Sequence, residues 1–178
     1  MPTRPWLTIP ELQVGERTLQ EQMLGLDPAL AECKGKRVLD IGCAEGLIGR
    51  EFALRGAKVD AFDSIQQHID TAIKQCPEVN FRVDDLNQLA IPIRPEYDIV
   101  LALAVLHKLG TPMHGARYCI AIAKSLIVVR LPIGSDGRIV GKFTKSRCDL
   151  NKEFTEHGFK LERVEEGPRT EKVQYWRR

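Results

Sequence analysis

The chain has 178 residues and a formal net charge of +2 at pH 7, which suits one α/β domain and indicates no strongly charged partner by itself. No apolar run approaches the roughly 20 residues of a membrane helix, and the proline-rich start lacks the pattern of a signal peptide, so we expect no membrane association. The 5 cysteines form no C-x-x-C pair, which favours reduced thiols in a cytoplasmic protein.

Residues 1–35 are predicted to be an N-terminal extension, and we place the main domain at residues 36–178. Within the extension, Thr18 and Glu21 have the spacing of a capping box, in which a hydroxyl and an acid bond to the first free N–H groups of a helix. A short helix should begin there and end at Gly25, because glycine readily adopts the left-handed conformation that terminates helices.

From residue 37 onward, apolar runs alternate with amphipathic segments. The predicted strands lie at residues 37–41, 58–62, 80–83, 97–103 and 126–131, and the predicted helices at 45–55, 65–75 and from Thr111 to about residue 125. Residues 97–103 are almost wholly apolar, as in a central strand that is buried on both faces. The alternation predicts an α/β fold, with a Rossmann-like, doubly wound and mostly parallel sheet and helices on both faces.

The last part of the chain has a different pattern. Residues 148–157 are predicted to form a helix that Gly158 terminates, and two strand-like runs follow at 159–165 and 172–176. Because only a short loop joins these runs, they should pair antiparallel. The complete sheet would then have about seven strands, with the last hairpin antiparallel.

A glycine turn follows the first predicted strand. Asp40 ends the apolar run, Gly42 and Gly46 follow, and the helix starts at once, so the turn should leave backbone N–H groups unpaired at the helix N-terminus. Asp63 ends the next strand about 20 residues further on, where an acid can hold ribose hydroxyls. The dinucleotide pattern G-x-G-x-x-G fails at Ala44 and Leu47, and no Gly-Lys-Ser/Thr follows as in a phosphate-binding loop.

These residues resemble the class I S-adenosylmethionine-dependent methyltransferases, whose usual acid-x-Gly-x-Gly-x-Gly pattern has Ala44 at its middle glycine here. The antiparallel last hairpin also matches that family. The resemblance implies S-adenosylmethionine as cofactor and S-adenosylhomocysteine as product. The residues that it implies for cofactor binding are Asp40, Gly42, Cys43, Ala44, Gly46, Asp63, Ser64, Asp85, Leu86, Ala102 and Leu103.

The resemblance assigns a part of the cofactor to each strand end. Asp40 would orient the turn or contact the amino group of the cofactor. Asp63 would accept the ribose hydroxyls, although it or Ser64 could instead only cap the next helix. Asp85 would accept from the adenine amine while Leu86 donates its backbone N–H, although adjacent carboxylates at 84–85 are also common in plain turns.

His107 follows the fourth strand, where the resembled family has its acceptor pocket, and it is the predicted general base. The alternatives are that His107 only packs or caps, and that transfer needs no base because the acceptor is an amine or already anionic. His107, His114 and Cys119 do not have the spacing of a closed metal site, so no metal is predicted.

The acceptor should be set by the segments outside the sheet, at residues 1–35 and about 132–148. Residues 138–147 contain four basic side chains and no acid, which could attract an anion, although the segment could also be a solvated loop. The strings Asp63-x-x-Gln66-x-x-Ile69 and 104–107 also resemble bacterial enzymes that methylate a phosphate at a polysaccharide end.

The predicted function is therefore methyl transfer to an oxygen or nitrogen of an undetermined acceptor, with a small anionic molecule or a saccharide favoured over RNA. A non-catalytic cofactor-binding subunit is the alternative, and a nicotinamide-dependent oxidoreductase is disfavoured by the glycine spacing. The sequence leaves open whether a partner protein or a second copy of the chain contributes to the site.

Overall fold

A seven-stranded sheet forms the centre of the protein, and the computed structural model describes it within residues 17–133 and 149–178. The strands are β1 Arg37–Ile41, β2 Lys58–Asp63, β3 Asn80–Val83, β4 Tyr97–Leu103, β5 Ala123–Pro132, β6 Lys160–Glu166 and β7 Glu171–Arg177. Their order across the sheet is β3-β2-β1-β4-β5-β7-β6. All neighbours from β3 to β5 pair in parallel, whereas β7 pairs antiparallel with both β5 and β6. The predicted mostly parallel sheet with an antiparallel last hairpin is confirmed.

The helices alternate with the strands along the chain. They are α1 Leu19–Met23, α2 Asp27–Glu32, α3 Leu47–Leu54, α4 Gln66–Gln75, α5 Pro112–Ile122 and α6 Leu150–Glu156, and a 3-10 turn covers Leu106–Lys108. As predicted, Thr18 and Glu21 form a capping box at the start of α1. The sequence analysis missed α2, which has Pro28 in its first turn and buries Ala29 and Leu30. No helix in the described ranges combines the length and apolar character that crossing a bilayer would require.

Two hydrophobic clusters cover the two faces of the sheet. Successive residues of a strand point to opposite faces, so Leu39 and Ile41 pack with α5 and α6, whereas Val38 packs with α2, α3 and α4. The central strand β4 divides its side chains in the same way, with Val100 on one face and Ile99 on the other. Helices therefore lie on both faces, as predicted.

The junction between α5 and β5 differs from the prediction. The helix was expected to run to about residue 125 and the strand to start at 126, but the helix ends at Ile122 and the strand starts at Ala123. Ala123 is in register with Tyr97 of β4, and the Ser125 hydroxyl donates to the Asp98 carbonyl at 2.7 Å. Pairing with the neighbouring strand thus outweighs the helical pattern of these residues.

Residues 17–32 pack against the C-terminal strands. Arg130 of β5 donates from Nη1 to the Gln22 carbonyl at 2.7 Å, and the Tyr175 hydroxyl of β7 donates to the Gly25 carbonyl at 2.6 Å. Arg130 also lies 3.2 Å from Glu171, in a region where its side chain is only 1% exposed. A buried polar network thus holds α1 against the carboxyl end of β5.

The strand order positions the site. The chain leaves β1 for β2 on one side and later returns to β4 on the other side, so the order reverses between β1 and β4. Crossover helices diverge at such a point and leave a crevice at the carboxyl ends of the strands, where ligands of open α/β sheets bind.

Candidate cofactor site

A cavity of about 330 Å³ opens at this crevice, within the size range of ligand pockets. Side chains from the carboxyl ends of β1, β2, β3 and β4 line it. The lining residues are Ile41, Gly42, Ala44, Phe62, Asp63, Ser64, Ile65, His68, Asp84, Asp85, Leu86, Asn87, Leu103, Ala104, Val105, Lys108 and Leu109. Seven of the residues predicted for cofactor binding are therefore in one place, namely Gly42, Ala44, Asp63, Ser64, Asp85, Leu86 and Leu103.

The glycine turn is held open by its backbone conformation. Gly42, Ala44 and Gly46 all have positive φ values, of 70°, 49° and 78°. A Cβ at Gly42 would lie 2.9 Å from Val105 Cγ2, and one at Gly46 would overlap the ring of Phe81. The two glycines are thus required by the packing around the turn, while Ala44 tolerates a conformation that costs a residue with a Cβ about 1 kcal/mol or more.

The expectation that the turn leaves unpaired N–H groups is wrong at four of its positions. Gly42 and Cys43 both donate to one carbonyl of β2, at 2.8 and 3.1 Å, and Gly46 donates to the Cys43 carbonyl at 3.0 Å. Ala44 donates to Asp63 Oδ2 at 3.0 Å. These four N–H groups already donate to the neighbouring strand or within the turn. The turn therefore lets a ligand come close to its backbone but does not provide these N–H groups as donors.

Asp63 lies at the carboxyl end of β2, with its side chain 13% exposed. Its Oδ2 accepts from the Ala44 N–H at 3.0 Å, and its Oδ1 accepts from the Ile65 N–H at 2.9 Å. Burial alone would raise the pKa of this carboxyl, but the contact with His68 and the two backbone bonds outweigh it and lower the pKa below its usual value. Asp63 is therefore a fixed and ionised carboxylate on the wall of the cavity.

Two further side chains join Asp63, and the sequence analysis missed both. His68 of α4 lies with Nδ1 3.5 Å from Asp63 Oδ1 and with Nε2 3.6 Å from Glu45 Oε1. Glu45 belongs to the glycine turn and its side chain is 2% exposed. The available signal was a histidine in the first turn of the helix that follows the acid, together with an acid inside the turn itself.

Asp85 lies in a tight turn after β3. Its Oδ1 accepts from the backbone N–H and the side-chain amide of Asn87, at 2.9 and 2.8 Å, and its Oδ2 accepts from Gln88 at 3.1 Å. These bonds, chiefly those from Asn87, lower the pKa of Asp85. Asn87 also accepts from the Gly110 N–H at 3.0 Å, so the turn is attached to the segment that follows β4.

The end of β4 provides the opposite wall of the cavity. Leu103, Ala104 and Val105 line it, followed by Lys108. Ala104 has a φ of 58°, and its N–H donates to the carbonyl of Arg130 on β5 at 2.9 Å. The backbone therefore turns at Ala104 while this residue stays bonded to β5.

The remaining predicted site residues lie outside the lining. Cys43, Gly46 and Ala102 are buried behind it. His107 is half-buried with its Nδ1 lacking a hydrogen-bond partner, and burial lowers its pKa to about 4. The structure thus does not bring His107 into contact with the cavity.

Asp40 also lies outside the lining. Its side chain points toward α3, where a Cβ on Gly49 would lie 3.3 Å from Asp40 Oδ2. The residue is 2% exposed, and burial, which outweighs the charge of Arg130 and the nearby Gly49 N–H, raises the pKa of the carboxyl to about 7. In this position Asp40 packs under the turn.

Comparison with known proteins connects this geometry to a family. A model of the methyltransferase domain matches residues 38–124, which run from β1 through the cavity to the start of β5. These residues belong to the methyltransferase domain family. The methyltransferase family that was predicted from the glycine turn and the acids is thereby confirmed for these residues.

Individual relatives agree with this assignment. The ubiquinone biosynthesis O-methyltransferase of Bordetella parapertussis is 31% identical over 94 residues, which are 51% of this chain and 39% of that protein. The chain thus spans well under half the length of this curated relative. Among solved structures, the fold of this chain resembles that of magnesium protoporphyrin IX methyltransferase from Synechocystis PCC 6803 with bound SAH, with a TM-score of 0.68, 18% identity and coverage of 86% of this chain and 81% of that one. It also resembles a SAM-dependent methyltransferase from Aquifex aeolicus, with a TM-score of 0.66, 16% identity and coverage of 89% and 92%.

Proposed function

We propose that the protein binds S-adenosylmethionine in this cavity and transfers its methyl group to an oxygen or nitrogen of a small acceptor, releasing S-adenosylhomocysteine. The observation that carries the proposal is Asp63, an ionised carboxylate at the carboxyl end of β2 that lines a cavity at the switch point of the sheet. The match to the methyltransferase domain family and the SAM- and SAH-associated names of the similar structures support the choice of cofactor.

Asp63 has the capacity to hold a ribose diol. An ionised carboxylate offers about four lone-pair sites, and backbone N–H groups of Ala44 and Ile65 occupy one on each oxygen. His68 lies at ion-pair distance but outside hydrogen-bond geometry, so each oxygen keeps one site for a hydroxyl. Ser64 lies beside Asp63 on the same wall.

Asp85 has the capacity to accept from the adenine amine. Asn87 occupies both sites of its Oδ1 and Gln88 occupies one site of its Oδ2, which leaves one site on Oδ2. Leu86 would present its backbone N–H to the ring, and Phe62 on the same cavity wall would provide apolar contact. In this arrangement the ends of β2 and β3 hold the nucleoside.

The end of β4 would hold the reactive part of the cofactor. When bound, S-adenosylmethionine supplies a methyl group that its sulfonium has already activated. The backbone at Gly42 and Leu103 would fix the chain that carries the sulfur, and Ala104 and Val105 would exclude water from it. The protein's contribution is then mainly alignment.

An oxygen acceptor on a small molecule is favoured over RNA, because the matched curated relatives are named ubiquinone biosynthesis O-methyltransferases. The basic segment at residues 138–147, which was expected to attract an anionic acceptor, lies outside the described residues.

Two mechanisms remain for the proton of the acceptor. In one His107 removes it, and in the other the transfer needs no base. The low pKa of His107 would keep the imidazole unprotonated at neutral pH but would make it a weak proton acceptor.

Calorimetry tests the cofactor, and labelled methyl transfer tests the reaction. The protein should bind S-adenosylmethionine and S-adenosylhomocysteine and should not bind NAD. With methyl-labelled cofactor, label should appear in a small-molecule fraction of cell extract. Preferential binding of NAD would refute the assignment of the cofactor. Tight cofactor binding without transfer to any fraction would favour a non-catalytic subunit.

A further inference from the structure

His68 occupies a position that the proposed cofactor contacts do not use. Its ring lies between two carboxylates from different elements, with Nδ1 facing Asp63 at 3.5 Å and Nε2 facing Glu45 at 3.6 Å. The side chain is only 13% exposed and lines the cavity next to Asp63. A histidine in this place is therefore part of the wall that would bind the ribose.

The arrangement belongs to the protonated form of the ring. A neutral imidazole has an N–H on only one nitrogen, so one of the two carboxylates would face a nitrogen lone pair. The imidazolium has an N–H on both nitrogens and attracts Asp63 and Glu45 together as ion pairs, at distances that leave the lone-pair site of Asp63 Oδ1 open. Consistent with this, the contact with Asp63 raises the pKa of His68 above 6.5, more than burial lowers it, and Glu45 adds to the rise.

Other charges near the ring do not change this balance. Of the elements that α4 packs against, β2 contributes Asp63, and β3 contributes Arg82, which turns to the opposite face of the sheet over the ring of Phe62. There Arg82 pairs with Asp84. Among the described residues, Asp63 and Glu45 are thus the charged groups that face His68.

We propose that His68 is a positioning residue of the ribose site, which in its protonated form bridges Glu45 and Asp63, holds the Asp63 carboxylate toward the cavity, and weakens cofactor binding when it loses its proton. This inference rests on the proposed role of Asp63. The protonated form is the one present below the folded-state pKa, so cofactor affinity is full at low pH and falls as the pH rises through the window above 6.5.

The test is the affinity for S-adenosylhomocysteine, measured by calorimetry between about pH 5.5 and about pH 8.5. The wild-type affinity should fall about tenfold across this range, a change that equals about one unit of difference in the His68 pKa between the free and the bound protein. His68→Gln should bind about tenfold more weakly than wild type at the low end and show no such fall. His157→Gln provides a matched control, because His157 lies on the distant end of α6 and does not line the cavity.

A second ligand separates positioning from a general loss of structure. For an S-adenosylhomocysteine analogue without the two ribose hydroxyls, His68→Gln and wild type should bind equally, because Asp63 then has nothing to hold. If His68→Gln weakened the binding of S-adenosylhomocysteine and of the analogue by the same factor, the proposal would be overturned. If His68→Gln fails to fold, the NMR titration of the His68 ring in wild type decides: its pKa should rise by about one unit when S-adenosylhomocysteine binds, and an unchanged or lower value would refute the role.

The outcomes also distinguish this proposal from the proposed function. A folded wild-type protein that binds no S-adenosylhomocysteine at any pH contradicts the cofactor assignment itself. Binding by wild type that is unaffected by pH and by His68→Gln contradicts only the role of His68.

Discussion

Replacing Asp63 by alanine is the most direct perturbation of the proposed cofactor site. In the structure the carboxylate keeps one lone-pair site on each oxygen toward the cavity, so it would form two charge-assisted hydrogen bonds to the ribose. Each such bond contributes about 1.5–3 kcal/mol, and water would replace part of it in the variant. We therefore expect Asp63→Ala to lose about 2–4 kcal/mol of binding free energy, which is roughly a 30- to 700-fold rise in Kd.

The same substitution affects the fold, and the assay must separate the two effects. Removing the carboxylate leaves the N–H groups of Ala44 and Ile65 without their acceptor, which should lower the free energy of unfolding by about 1–3 kcal/mol. Urea unfolding followed by circular dichroism measures this loss, and calorimetry with S-adenosylhomocysteine is then performed where the variant is fully folded. Asp70→Ala is the control, since Asp70 is an exposed residue of α4 that accepts a hydrogen bond from Gln66 in the same helix. A folded Asp63→Ala variant with wild-type affinity would refute the ribose assignment.

Three further substitutions test other parts of the molecule. His107→Ala should lower turnover by about 10²–10⁴-fold with little change in cofactor Kd if His107 is the base, and undiminished turnover with saturating acceptor would exclude that role. Arg130→Ala should lower the free energy of unfolding in urea by about 1–3 kcal/mol, because it leaves the buried Gln22 carbonyl without its donor and the buried Glu171 with Arg17 but without Arg130; a loss near zero would contradict the buried network. Burial raises the pKa of Asp40 to about 7, so ionisation of Asp40 opposes folding. The free energy of unfolding should therefore decline between about pH 4 and about pH 7 more steeply in wild type than in Asp40→Asn, and parallel profiles would show that Asp40 does not titrate in this range.

Local patterns were sufficient to predict much of the fold. The bounds of β1, β3 and β4 match the predicted strands. The ends of β1 and β3 are marked in the sequence itself, because a glycine follows the first and two adjacent acids follow the second. The start of β5 was missed, because it depends on the register between Ala123 and Tyr97, which lie far apart in the sequence. A helical period can continue past the residue at which pairing with another strand becomes more favourable.

The same difference between local and long-range information applies to the candidate site. The glycine turn and the acids at strand ends were recognisable, since their residue types are tied to positions in the repeating unit. The contact of His68 with Asp63 and Glu45 was not, because it requires a turn, a strand end and a helix to meet in space. The pairing of the N–H groups of Gly42, Cys43 and Ala44 was also missed, because their acceptors lie on β2.

The docking of α1 against β5 and β7 has a consequence for how the protein is made. Gly25 and Gln22 leave the ribosome long before Tyr175 and Arg130, yet these residues hold one another in the finished structure. Since β7 lies between β5 and β6, the sheet cannot close until the final strand is available. The bond between Tyr175 and the Gly25 carbonyl can therefore form only after β7 has been made, and shortening the chain before Tyr175 should loosen the segment around Gly25 as well as the last hairpin.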